Sequence, residues 1–203
     1  TRMIYQTTDD QILKYLDNDG TPVEPIYYAP IIPMILVNGT KGIGTGFSTE
    51  IMQHNPKDII TFIKNKLKDV ENTVSIKPYY KGFKGEISEI NKNKYLIRGC
   101  YNLVGDTKVQ ITELPVGTWT DDYKAFLEKT IDSKDGMVSD YTDISTDTTV
   151  NITVTFSKKG LPLKMENAEV EYGCNALEKY LKLYTTISTT NMHLFDANER
   201  LKK

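Results

Sequence analysis

Ala29-Pro-Ile-Ile-Pro-Met-Ile-Leu-Val-Asn38-Gly39-Thr-Lys-Gly42-Ile43-Gly44-Thr45-Gly46-Phe47-Ser48 opens as an apolar run, stops at Asn38-Gly39 and places four glycines within eight residues. Glycine lets the backbone take positive φ angles and approach a ligand closely. It also strips the segment of side chains. One bulky apolar residue, Ile43, therefore protrudes, with a glycine on either side. An apolar side chain presented in this way needs something to bury it, and that partner need not be protein.

Two nucleotide-binding readings of the loop fail on chemistry. A P-loop requires Gly, four residues, then Gly-Lys-Ser/Thr, with the lysine reaching the phosphates. Gly39 and Gly44 have that spacing, but Thr45 stands where the lysine belongs. The dinucleotide fingerprint Gly-x-Gly-x-x-Gly fails as well, because Gly42 and Gly44 are followed by Phe47. A wedge is the better reading, since proteins that bend DNA insert apolar side chains between base steps.

Further motifs follow in order: Tyr80-Lys-Gly-Phe-Lys-Gly85, Ile111-Thr-Glu-Leu-Pro-Val-Gly-Thr-Trp-Thr120, Asp147-Thr-Thr-Val150, and Lys182-Leu183 through Asn191 with Leu194-Phe195-Asp196. Together with Pro30–Gly39, Gly42–Gly46 and Ser48, this set resembles the eukaryotic-type type IIA DNA topoisomerases over nearly the whole chain. One departure is Phe47, where those enzymes carry tryptophan; the swap keeps an aromatic platform.

Composition describes an ordinary water-exposed protein. Of 203 residues, 39% are hydrophobic and 26% charged, with no stretch approaching a membrane span and no signal peptide. The size fits one large domain or two small ones. Cys100 and Cys174 are far apart, and neither His54 nor His193 lies near them, which argues for free thiols in a reducing compartment over a zinc site. The net charge of −2 does not favour nucleic acid, but its distribution matters more. Lys77 to Lys108 carries seven basic residues against three acidic. Asp121 to Asp147 carries eight acidic against three basic. The first segment could line a DNA channel while the second faces away, although two ordinary solvated faces explain the counts equally well.

Local patterns predict an α+β fold, mainly antiparallel sheet with flanking helices. A short helical pattern runs from Asp9-Asp10 through Ile12, Leu13 and Leu16 to a turn at Asp19-Gly20, followed by an extended connector at Pro22–Tyr28. Pro30 and Pro33 make the apolar run an edge or entry strand. Asn55-Pro56 starts a helix to about Asp69, with Asp58 completing a capping box and Ile59, Ile60, Phe62, Ile63 and Leu67 marking its apolar face. Phe83–Ile90, Lys94–Tyr101, Lys108–Leu114 and Thr148–Phe156 read as strands. Thr120 opens a helix through Leu127. Asn175-Ala-Leu-Glu178 is a capping-box signal for another, with Leu177, Tyr180, Leu181 and Tyr184 as its buried stripe. Trp119 reads as core, anchoring helix to sheet.

A tyrosine hydroxyl can form a covalent phosphodiester. In type IIA topoisomerases the active tyrosine follows an arginine, and no Arg-Tyr pair occurs in this sequence. Aligning Thr1-Arg-Met-Ile-Tyr5 with the family places that pair just upstream of Thr1, so no catalytic residue is assigned here. Tyr5, Tyr15 and Tyr27 read as packing residues. No metal ligands are assigned, because Asp9-Asp10 and Asp121-Asp122 sit at helix starts where capping suffices.

The resemblance implies residues 1–28 as the tail of a winged-helix region plus connector, and residues 29–203 as a tower or shoulder domain with its wedge loop at 38–48. It implies Ile43 as the DNA-intercalating side chain, with Gly42, Gly44 and Thr45 approaching or donating to phosphate. It also implies that the hydroxyl-rich run of Lys182, Thr185, Thr186, Ser188, Thr189, Thr190 and Asn191 contacts DNA, extended by Lys81 and Lys84. The partner is double-stranded DNA, the gate segment. ATP and Mg2+ belong to the parent enzyme, a homodimer, and this stretch, monomeric when isolated, holds no cofactor. The compartment is the nucleus, or host cytoplasm and virion for a viral source. A bacterial-type gyrase relative shares the wedge isoleucine and stays open as an alternative, as does a stand-alone DNA-bending module.

Overall fold

The computed structural model describes every residue except Asn72, Thr73, Lys134, Asp135, Ala197 and Glu199. Lys134 and Asp135 of the acidic segment thus lie outside the described residues. A 3-10 turn (Thr7–Gln11) precedes β1 (Tyr15–Asn18), β2 (Thr21–Pro25), α1 (Met34–Asn38), β3 (Thr40–Ile43), β4 (Ser48–Ile51) and α2 (Pro56–Leu67). Next come β5 (Glu86–Asn91), β6 (Lys94–Arg98), β7 (Cys100–Val104), β8 (Lys108–Glu113), α3 (Thr120–Ile131), β9 (Val138–Asp143) and β10 (Ile152–Phe156). The chain closes with α4 (Leu161–Glu166), β11 (Glu169–Glu171), β12 (Cys174–Asn175), α5 (Ala176–Tyr180), β13 (Tyr184–Ser188), β14 (Leu194–Phe195) and β15 (Leu201–Lys202). Every pairing among the described strands is antiparallel, which gives the expected α+β class.

Two compact units form, Thr1–Tyr79 with Asn191–Lys203, and Tyr80–Thr190. In the first, the helix expected through Ile12, Leu13 and Leu16 is only the 3-10 turn, and Leu16 lies in β1 of a hairpin turned at Asp19-Gly20. Tyr5 meets Tyr28 edge-on at 5.7 Å, but Tyr27 is exposed and packs less than expected.

The apolar run is not a strand. Met34–Asn38 is helical, entered from Pro33 in an extended conformation. The first amides of a helix have no intrahelical partner, so a missing proline N–H costs as little at a helix entrance as at a sheet edge. A short apolar run carries too little periodicity to separate the two. Gly39 ends the helix at φ 66°, and a Cβ there would sit 2.6 Å from the Ile51 carbonyl oxygen.

α2 forms where expected. Asn55 Oδ1 accepts from the Lys57 amide at 3.0 Å, capping the helix through that bond alone. Ile59 is fully buried while Ile60 and Leu67 are exposed, so the packed face is narrower than its apolar composition.

The second unit holds the main core. Val109 and Ile111 of β8 stand directly opposite Val154 and Ile152 of β10 in the sheet β7-β8-β10-β9, all fully buried. Tyr123 and Leu127 of α3 and Leu177 of α5 pack against them. The expected strand Lys94–Tyr101 divides at Gly99 into β6, central to the sheet β13-β6-β5, and β7 of the four-stranded sheet. A Cβ on Gly99 would collide with the Glu113 carbonyl oxygen, so only glycine lets the backbone pass there.

Asn175 and Glu178 make the full capping box, each side chain bonding the other's amide at 2.8 Å. Tyr184 lies in β13, beyond the helix whose stripe it was expected to extend. Trp119 is a clearer miss. It is 75% exposed at the N-cap of α3, and the anchoring role falls to Tyr123, whose hydroxyl donates to the Leu181 carbonyl at 2.6 Å.

Candidate nucleic-acid interface

The glycine-rich segment is a hairpin. β3 pairs with β4 in the register Thr40↔Ile51, Lys41↔Glu50, Gly42↔Thr49 and Ile43↔Ser48. The Gly44 amide donates to the Phe47 carbonyl at 2.8 Å, and Gly46 at φ 84° completes the turn. Hydrogen-bonded strands give this segment a direction that a loop would lack. Ile43, the last residue of β3, is 90% exposed. Gly42, Gly44 and Thr45 are exposed beside it.

Asn191 belongs to the same unit and reaches the hairpin. Its Nδ2 donates to Ser48 Oγ at 2.8 Å, and its carbonyl accepts from the Glu50 amide at 2.8 Å. The structure thus brings together Gly42, Ile43, Gly44, Thr45 and Asn191. Lys41 is paired with Glu50 at 3.0 Å across the strands, an exposed pair worth little stability.

The other candidates lie in the second unit. Thr185, Thr186 and Ser188 are on β13, an edge strand of its sheet. Ser188 Oγ and Thr190 Oγ1 share a hydrogen bond at 2.8 Å, and the Thr189 amide donates to the Asn93 carbonyl at 2.9 Å. Lys182 takes φ 52° and holds its ammonium 4.2 Å from the centre of the Phe126 ring, which occupies the charge locally. Lys81 and Lys84 are exposed just before β5, at the opposite edge of the sheet from β13. Lysine and hydroxyl track are therefore separated by the width of β6.

Nothing among the described residues prepares a nucleophile or a metal centre. Burial pushes the Tyr101, Tyr123 and Tyr184 hydroxyls up, Tyr101 to about 12, so these phenols stay protonated near neutral pH. Burial also raises both free thiols, Cys100 and Cys174. No group of three or more His, Cys, Asp or Glu side chains could hold a metal ion among the described residues. Asp10 instead pairs with Arg2 and Asp121 with Lys124, each at 2.8 Å. Mg2+ does not fit these residues. ATP does not fit either, because the glycine segment forms a hairpin whose turn residue Thr45 replaces the phosphate-binding lysine.

Comparison with known proteins decides the lineage. The family model for the A-type chain of DNA gyrase/topoisomerase IV matches residues 1–203. The chain belongs to the DNA gyrase/topoisomerase IV family. Within that family it is 44% identical to DNA topoisomerase 2 of Plasmodium falciparum over 204 residues, covering all of this chain and 14% of that protein. DNA topoisomerase 2 of Bombyx mori is 43% identical over 206 residues, and that of Drosophila melanogaster 38% over 207, again across the full chain and 13–14% of each relative. The crystal structure of the Plasmodium falciparum topoisomerase II DNA-binding, cleavage and re-ligation domain superposes with a TM-score of 0.87 at 43% identity, covering 100% of this chain and 27% of that one. The chain thus spans about one seventh of the length of its curated relatives.

Sequence reasoning located the hairpin through its glycines and singled out Ile43. It missed that Thr49 and His193 are bonded to each other, and that Phe47 meets Phe195, because these partners lie more than 140 residues apart. The motif match around Asn191 and Leu194–Asp196 was the one signal available for that segment.

Proposed function

We propose that the chain is a DNA-binding and DNA-bending part of an ATP-dependent type IIA topoisomerase, which passes one duplex through a transient double-strand break in another. The exposed Ile43 at the end of a directed hairpin carries this reading. Full burial of such a side chain yields roughly 1.5–3 kcal/mol. Unstacking a base step costs a few kcal/mol, and smooth bending adds on the order of 1–6 kcal/mol. Insertion is therefore sustained only with added phosphate contacts. Gly42, Gly44, Thr45, Lys81, Lys84 and the run Lys182, Thr185, Thr186, Ser188, Thr189, Thr190 and Asn191 supply these contacts without reading sequence.

Residues 1–28 act as the tail of a winged-helix region and 29–203 as the tower or shoulder domain. ATP, Mg2+ and the nucleophile are supplied by the rest of a homodimeric enzyme working in the nucleus, or in host cytoplasm for a viral source. The purified chain alone, a monomer, does not relax or cleave supercoiled DNA; magnesium-dependent relaxation by it would remove this assignment.

Ile43→Ala tests the wedge in the full-length enzyme. Bend angle, read by energy transfer across a labelled duplex, and cleavage should fall far more than DNA association. An unchanged bend beside a lowered melting temperature would make Ile43 a packing residue instead.

A further inference from the structure

The hairpin that presents Ile43 is small, and an isolated two-stranded hairpin is marginal in water. Its strand residues include Gly42, and its turn contains Gly44 and Gly46, which contribute no packing of their own. What holds it in place is a segment far away in sequence.

That segment runs from Asn191 to Phe195. The Glu50 amide donates to the Asn191 carbonyl, and Asn191 Nδ2 to Ser48 Oγ, both at 2.8 Å. Thr49 Oγ1 closes a ring with one residue, accepting from the His193 amide and donating to the His193 carbonyl, each at 3.0 Å. His193 Nδ1 lies 3.0 Å from the Ser48 carbonyl oxygen. A carbonyl can only accept, so Nδ1 carries the hydrogen and the ring is fixed in one tautomer. Beyond it, Phe195 meets Phe47 edge-on, with centroids 6.5 Å apart and planes at 82°. Phe47 in turn covers Gly44, where a Cβ would come within 3.0 Å of the ring. Phe195 sits on β14, paired with Leu201 of β15, and Asp196 Oδ1 accepts the Asn198 and Arg200 amides at 2.9 and 3.0 Å. The result is a continuous path from the β14–β15 ribbon through two rings to the turn beside Ile43.

We propose that Asn191–Phe195 is a clamp on the wedge hairpin, with His193 and Phe195 as positioning residues that set the direction in which Ile43 enters duplex DNA. The proposal rests on the wedge reading given above. The clamp residues act on the hairpin: their hydrogen bonds and ring edge are spent on Ser48, Thr49 and Phe47. Phe195 is itself exposed, so its contact with Phe47 is not enforced by a surrounding core. An edge-to-face pair shifts a population by roughly two- to tenfold, which is the size of effect expected on the bent fraction.

The test uses the full-length enzyme and a duplex labelled for energy transfer, reading bent fraction and association constant separately, with protein melting temperature as a control. Phe195→Leu keeps bulk and removes the ring edge, while Phe195→Tyr keeps both. His193→Ala removes the Nδ1 donor, and His193→Asn restores a donor near the same place. The expected result is a bent fraction lowered roughly two- to tenfold in Phe195→Leu and His193→Ala, association and melting temperature little changed, and recovery in Phe195→Tyr and His193→Asn. Bending equal to wild type in Phe195→Leu and His193→Ala would overturn the clamp, as would a loss that the conservative variants fail to recover. Ile43→Ala, run in parallel, separates the two ideas. If it bends DNA normally, the wedge reading itself fails. If it does not bend while the clamp variants do, only the clamp fails.

Discussion

Ile43 and Gly39 lie four residues apart and call for opposite outcomes on substitution. Ile43 is almost wholly exposed, so Ile43→Ala should change folding stability by no more than ~0.5 kcal/mol. Gly39 has φ 66° and no room for a Cβ beside the Ile51 carbonyl and the Gln53 amide. Strain of that kind costs about 1–3 kcal/mol, and Gly39→Ala should show it as an earlier denaturant midpoint. Equal midpoints for the two variants would mean that the hairpin base relaxes freely. His54 gives a pH prediction. Burial holds its imidazole below its usual value, against backbone hydrogen bonds to Leu36 and Met52 that favour the cation. The unfolded chain therefore takes up the proton first as pH falls. Stability is full above the ordinary imidazole value of about 6.5 and declines below it, until the folded form protonates too. Melting temperature compared at neutral and mildly acidic pH should show this decline, and His54→Gln should reduce it. An identical slope in the variant would shift the cause to other groups.

At the scale of elements, the capping box is the most direct test of local sequence logic. Asn175→Ala removes the bond to the Glu178 amide and the contact of Nδ2 with the Tyr101 hydroxyl at 2.8 Å. A lost cap costs about 0.5–2 kcal/mol, measurable by chemical denaturation, and a loss below that range would show that packing of Leu177 and Leu181 alone holds α5. Elements were legible where side-chain chemistry and backbone need coincided. Asn55-Pro56, Asn175 with Glu178, and the alternation of Val109 and Ile111 all became what their patterns require. The run Met34–Asn38 was not legible, since prolines at its start serve a strand edge and a helix entrance alike. Nor was the division of Lys94–Tyr101 at Gly99, because what forbids a side chain there is the Glu113 carbonyl of another strand.

At the scale of the whole molecule, stability rests on the cluster around Val109, Ile111, Ile152, Val154 and Leu127. Leu127→Ala should cost roughly 2–5 kcal/mol by calorimetry or denaturant titration. DNA binding by the chain should be weak, independent of sequence and steeply salt-dependent, because the proposed contacts go to phosphates and the net charge is −2. Each neutralised phosphate contributes roughly 0.9 to the slope of log affinity against log salt. Salt-insensitive binding to one preferred sequence would contradict that interface.

The sequence by itself determined the fold class, the positions of α2, α5 and the core strands, and the isolation of Ile43 between glycines. Those features follow from short-range rules, in which a residue and its near neighbours state the backbone's need. Tertiary structure alone decided that the glycine segment is a hairpin, that Trp119 faces outward while Tyr123 anchors α3, and that His193 and Phe195 meet residues 48, 49 and 47. Each of these depends on which distant surfaces come together, and burial and hydrogen-bond partnership across the chain leave no periodicity for a single sequence to carry.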